Sequence, residues 1–236
     1  MNAIKSFLTV FFVIVFTFYL NAQDKKVEVG IVGGYGYTMP KIKDARNNIE
    51  KTTVPLASFN INSDNLSGFH VGPILKFNFS ELVSFQTGLL YNRFSGTRLK
   101  SSQAMKKLGT YEQSKTTLSA IDLPLRALYS LALADEFYVM LYAGPNINYA
   151  LQKTTDEQVF VDNKLRESQS SKGENIYAGT PSHYSAFDLQ MGAGMGIQYY
   201  KVSIRAGYDW GILNRTTYEN ISLRSNDIKV TIGYTF

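Results

Sequence analysis

Cysteine is absent from all 236 residues, which removes a disulfide framework, a thiolate metal centre and a cysteine nucleophile together. Histidine occurs only at His70 and His183, which argues against a His-rich metal site. Charged side chains make up 18% of the chain, and the Lys and Arg behind the net charge of +5 are scattered rather than massed on one face. Nucleic-acid binding is therefore not supported. No repeat of about 20 to 50 residues recurs, so a solenoid or propeller is excluded. Long hydrophobic runs are also lacking: the stretch 7–20 falls short of the ~20 residues of a spanning helix, and no second run of that length follows it.

That one run has another reading. Lys5 precedes it and Asn21-Ala22-Gln23 follows, the pattern of an export signal with a small residue at the cut. Residues 1–22 are expected to be a signal peptide removed after Ala22, leaving a domain of residues 23–236 with net charge +4 once Lys5 is gone.

What the chain does have is Tyr (16), Phe (15) and Gly (18), a mixture that suits strands. From Val27 onward the hydrophobic period is two. In 187–199, Phe187, Leu189, Met191, Ala193, Met195, Ile197 and Tyr199 alternate with Asp188, Gln190, Gly192, Gly194, Gly196 and Gln198. The segments 202–212 and 228–236 behave the same way, and 27–37, 69–79, 83–91, 121–129 and 137–149 do so less perfectly. Eight strands result. Short links at 80–82, 130–136 and 200–201 alternate with long polar ones at 38–68, 92–120, 150–186 and 213–226, which places both termini on the periplasmic side of an outer-membrane barrel.

Alternation does not say which face meets lipid, but four features do. The polar face carries Glu28, Lys76, Asp122, Arg126, Asp188, Arg205, Asp209 and Lys229 among glycines, too few and too charged for a solubilising exterior. Aromatics on the apolar face gather near strand ends, as interfacial girdles do. The strands match the ~9–11 residues of a tilted crossing. An exported sheet in lipid must also close, because an unpaired backbone group there costs several kcal/mol. The expected fold is thus an all-β, eight-stranded antiparallel up-and-down transmembrane β-barrel in the outer membrane of a Gram-negative bacterium. Pro73, Pro124 and Pro145 fall inside strands, where each removes a ladder donor, so bulges or irregularities are expected there, towards the rims.

Several stretches resemble a known family: 120–129 (AIDLPLRALY), 142–147 (YAGPNI), 188–196 (DLQMGAGMG) and 205–212 (RAGYDWGI). They are similar to the PorT-type outer-membrane β-barrel proteins of Bacteroidetes, and Ile232, Tyr234 and Phe236 resemble the C-terminal signal read by the barrel assembly machinery. The resemblance implies that prolines are tolerated within these strands, and its namesake's part in protein secretion sets one functional expectation.

Candidate chemistry is thin. Ser182, His183, Ser185 and Asp188 near a rim invite a lipid-modifying acyltransferase or hydrolase, which would need the imidazole within hydrogen-bond reach of a hydroxyl. His70 is expected to be a hydrogen-bonded interior residue. Gly30, Gly33, Gly34 and Gly36 look like a phosphate loop, yet no Lys-Ser/Thr pair or helix follows them. The interior charges could line a conduit, but eight strands enclose a lumen that side chains just fill, so a plugging salt-bridge network is expected. No catalytic, cofactor or metal residue is assigned, no cofactor is expected, and no ligand-binding residue can be named. The expected partners are membrane lipid, the barrel assembly machinery during insertion, and an extracellular or secretion-system protein, with no nucleic acid and a monomeric barrel.

Overall fold

The structure, a computed structural model, describes residues 27–44, 49–51, 53–56, 59–62, 65–99, 101–167, 170–178 and 182–236. The expected signal peptide and its cut after Ala22 lie outside them. Eight strands form a ring: β1 (Val27–Asp44), β2 (Leu66–Asn78), β3 (Val83–Gly88 continuing as Leu90–Leu99), β4 (Tyr111–Ala134), β5 (Phe137–Val161), β6 (Phe187–Tyr199), β7 (Val202–Gly211) and β8 (Ile221–Thr235). Each pairs antiparallel with its neighbours in sequence, and β1 pairs with β8 from Gly30↔Thr235 to Asp44↔Ile221. That last ladder closes the barrel and satisfies both edges.

The expected alternation is visible in burial. On β6, Asp188 and Gln190 are 0% and 1% exposed whereas Met195 is 62% exposed. The outward positions of β6 to β8 place Ile197, Ile204 and Ile232 side by side, all about half exposed. A contiguous apolar exterior around a charged interior is the inverse of a water-soluble barrel, and it fits hydrocarbon. Among the described residues no helix is long and apolar enough to cross a membrane.

Strand ends differ from the sequence expectation. β4 has 24 residues and β5 has 25, against the expected 121–129 and 137–149; β1 continues to Asp44 and β3 to Leu99. Much of each expected long loop is therefore strand. The reason is solvent: past the bilayer both faces of a strand are wet, so the hydrophobic period vanishes while pairing continues. On this extracellular extension Gln113 Nε2 donates to Gln158 Oε1 at 3.0 Å, Thr116 and Thr155 hydroxyls bond at 3.1 Å, and Tyr111 stacks on Phe160 at 4.7 Å. A short helix, α1 (Gln103–Lys107), caps it, with Ser102 Oγ accepting from Met105 N. The tip turns through Asp162 and Asn163, both at positive φ, as a two-residue turn demands.

The prolines do disturb the ladders, but near the middle of their crossings rather than at the rims. Pro73 faces the break in β3, where Leu89 N donates to its carbonyl at 3.1 Å. Between β4 and β5 the register runs from Pro124↔Asn146 to Ala127↔Ala143, leaving Leu125 and Arg126 without partners on β5, and Gly144 sits at φ +148°. The true register shifts fall elsewhere, at Ser119/Ala120 and Ala132/Ala134.

Candidate functional site

The lumen is a polar core built from the inward positions of every strand. Arg126 on β4 is paired with Asp209 on β7 and donates to the Gly144 carbonyl that the irregular backbone frees. Lys229 on β8 is paired with Asp122 on β4 and lies 3.8 Å from Asp209 and 4.0 Å from Asp227. Asn148 Nδ2 donates to Asp122 at 2.6 Å, Gln190 Nε2 to Asp227 at 2.9 Å, and Asn146 Nδ2 to Gln190 at 2.9 Å. Arg205 Nη1 donates to Gln86 Oε1 at 2.7 Å. His70 is fully interior, with Nε2 2.8 Å from Thr231 Oγ1, as the sequence led us to expect.

Packing leaves little room. Gly194 and Gly207 face each other in the β6–β7 register, and the Tyr142 ring occupies the space their Cβ atoms would take. The residual mid-barrel cavity is about 60 Å³, lined in part by His70, Gln86, Tyr142 and Arg205. That holds a few waters and is no conduit. At the periplasmic end the lumen opens into a vestibule of about 730 Å³, where Glu28 accepts from Lys76 at 3.4 Å and from Asn78 at 2.6 Å. Arg205→Met is expected to cost about 1.5–3 kcal/mol, the worth of a hydrogen bond to a charged group. Thermal unfolding of the refolded barrel checks this, and planar bilayers holding the wild type should carry no steady current.

The extracellular end is lidded. The segments 182–186 and 212–220 bridge at Tyr184↔Thr216, with Ser185 N donating to Arg215 O at 3.0 Å and Thr217 N to His183 O at 3.1 Å. Beneath them Ile42, Ile221 and Leu223 form a buried cluster against which Tyr184 and Tyr218 pack. Arg215 ties lid to lumen: it donates to Tyr177 Oη at 2.8 Å and to Ser185 O at 3.3 Å, and lies 3.9 Å from Asp188. Burial pushes the Tyr184 hydroxyl up to about 12, reinforced by Tyr218 and Tyr177, and burial also raises Tyr177 against the opposing pull of Arg215. Both phenols stay neutral, and Tyr177 Oη accepts from Arg215.

The hydrolase candidates are not assembled. Ser182 Oγ donates towards Ile176 O (3.1 Å) and Tyr184 O (3.0 Å), and Ser185 Oγ donates to Phe187 O at 2.9 Å. The His183 ring stacks on Tyr218 at 4.6 Å with Nδ1 3.5 Å from Thr217 Oγ1. Asp188 is sealed in the lumen with Arg215. Sequence reasoning missed Arg215, which lay in an expected loop, and left Asp227 out of the charge set although it shares the inward face of Lys229. Among the described residues no group of three or more His, Cys, Asp or Glu could hold a metal ion.

The family described as an outer membrane protein beta-barrel domain matches residues 21–216. No curated protein matches the chain. Among solved structures it is similar to Ail, the attachment invasion locus protein of Yersinia pestis, solved with the heparin analogue sucrose octasulfate (10% identity, TM-score 0.41, 89% of this chain and 99% of that one). It is also similar to Neisserial surface protein A (11%, 0.37, 88% and 97%) and to the translocator domain of the autotransporter NalP from Neisseria meningitidis (7%, 0.35, 99% and 97%).

Proposed function

Because the chain belongs to the outer membrane protein beta-barrel domain family, and so resides in the outer membrane of a Gram-negative bacterium, we propose that it is a non-enzymatic barrel that holds a protein-binding surface outside the cell. The observation that carries this is the distribution of ordered structure. A crossing needs ~9–11 residues, and β4 and β5 have more than twice that. Their surplus is a stiff, two-sided polar sheet that stands clear of the bilayer, while the lumen beneath it is filled. A rigid platform over a closed barrel suits recognition, since little ordering entropy is lost on binding.

The finer reading is a PorT-like role, in a bacterium of the Bacteroidetes type, supporting envelope assembly or protein secretion. Its partner is a secretion-system or extracellular protein, and the barrel works as a monomer inserted by the barrel assembly machinery. Shortening the extension by joining 93 to 119, which are opposite in register, through a two-residue turn and trimming 152–176 should leave a folded barrel and abolish secretion or surface adhesion. A shortened barrel with undiminished secretion and adhesion removes this reading.

The lipid-modifying alternative rests on Ser182, His183 and Ser185. The hydroxyls of Ser182 and Ser185 are engaged with backbone carbonyls in local turns, which favours a structural role. The triple alanine variant should leave the lipid A mass profile unchanged; an altered profile makes the chain an enzyme.

A further inference from the structure

The outer surface carries a feature that neither the lumen nor the extension uses. Along the lipid-facing side of β1 the outward residues run Tyr35, Tyr37, Met39 and Lys41, and along β8 they run Val230, Ile228, Asn226 and Arg224. Lys41 and Arg224 stand directly opposite each other in register, and both are exposed. Neither makes an ion pair or side-chain hydrogen bond among the described residues. Asn226, one outward step below Arg224, is already committed, accepting from Gly211 N at 3.1 Å.

Like charges opposed across an antiparallel pair repel one another unless an anion lies between them. Here the pair cannot splay apart easily, because the inward residues on the same stretch, Ile42 and Leu223, belong to the buried cluster that closes the mouth. Height decides what anion would meet it. Lys41 lies four residues beyond Tyr37, ~14 Å along a strand rising ~3.4 Å per residue. That places the cations just above the aromatic girdle, where headgroups begin, with Trp210 and Ile212 exposed beside them at the end of β7 for acyl contact.

We propose that Lys41 and Arg224 form a clamp for the phosphate of an anionic outer-leaflet lipid. The Arg fork offers two parallel donors to phosphate oxygens and the Lys ammonium supplies a movable charge. The acyl chains of the same lipid would lie against Tyr37, Met39 and Trp210, which a free phosphate could not use.

The test places the full-length barrel in phosphatidylcholine nanodiscs doped with bisphosphorylated lipid A and counts retained lipid by native mass spectrometry. Surface cations are worth about a fivefold factor each towards an anionic membrane, so K41Q/R224Q should weaken retention about 30-fold. K41R/R224K should keep it, and both variants should melt like the wild type in pure phosphatidylcholine. Equal retention of dephosphorylated lipid A overturns the phosphate contact. Displacement of lipid A by millimolar inorganic phosphate overturns the lipid as its occupant, and undiminished retention by K41Q/R224Q overturns the clamp.

Discussion

Lys229→Met is expected to be among the most damaging single substitutions in this barrel, lowering its stability by about 3–5 kcal/mol. The methionine keeps the length of the stem and removes only the ammonium. That ammonium is paired with Asp122 and lies within 4.0 Å of both Asp209 and Asp227, three carboxylates contributed by β4, β7 and β8. Asp209 retains Arg126 and Asp227 retains Gln190 Nε2, but Asp122 keeps only amide donors such as Asn148. A buried carboxylate stripped of its cation carries the full desolvation cost, which exceeds the net worth of the pair itself. The double variant Lys229→Met with Asp122→Asn removes the orphaned charge and leaves an acceptor for Asn148. It should therefore be more stable than Lys229→Met alone, with a coupling of about 0.5–3 kcal/mol. Urea unfolding in lipid vesicles reads both. A Lys229→Met barrel as stable as the wild type, or a double variant worse than the single, would show that the lumen charges do not act as one unit.

The same network explains which parts of the molecule could be read from sequence. Inside the bilayer, water is absent from one face and packing excludes it from the other, so each residue is forced to choose; hence Met195 and Asp188 announce their sides by type alone. Eight strands and the inward set from Glu28 to Lys229 were legible for that reason. Outside the bilayer nothing forces the choice. Gln113, Thr116, Thr155 and Gln158 are paired in register, yet their sequence reads as solvated loop, and the platform of β4 and β5 was invisible. Arg215 was hidden differently. Its partners Asp188 and Tyr177 come from segments far apart in sequence, and only a loop folding back over the mouth brings them together. The one available signal was a cation ahead of β8 beside an inward set in which, once Asp227 is counted, the acids Glu28, Asp122, Asp188, Asp209 and Asp227 outnumber the cations Lys76, Arg126, Arg205 and Lys229 by one. Ser182 and His183 show the converse, since adjacency in the chain suggested a constellation that the backbone turns apart.

Met195→Arg tests the orientation on which these arguments depend. Met195 is on β6, opposite Leu141 on β5 and Ala206 on β7, inside the apolar span between the aromatic residues Phe187 and Tyr199 and four residues from the latter. It is 62% exposed, so on a water-soluble barrel arginine there would be within about 0.5 kcal/mol of neutral. In a bilayer the guanidinium has no neighbouring acid, because the outward positions around it are apolar, and at this depth its cost is about 2 kcal/mol, the lower end of the midplane range. The penalty also depends on depth. Tyr199→Arg, at the periplasmic girdle, should cost no more than about 1 kcal/mol, since there the side chain reaches headgroups and water. Reversible unfolding from phosphatidylcholine vesicles gives both values. The contrast between the two positions separates lipid from other causes: a general loss of packing would penalise removal of the tyrosine ring at least as much as removal of the methionine. Equal, small effects at both sites would mean that the apolar face does not meet hydrocarbon.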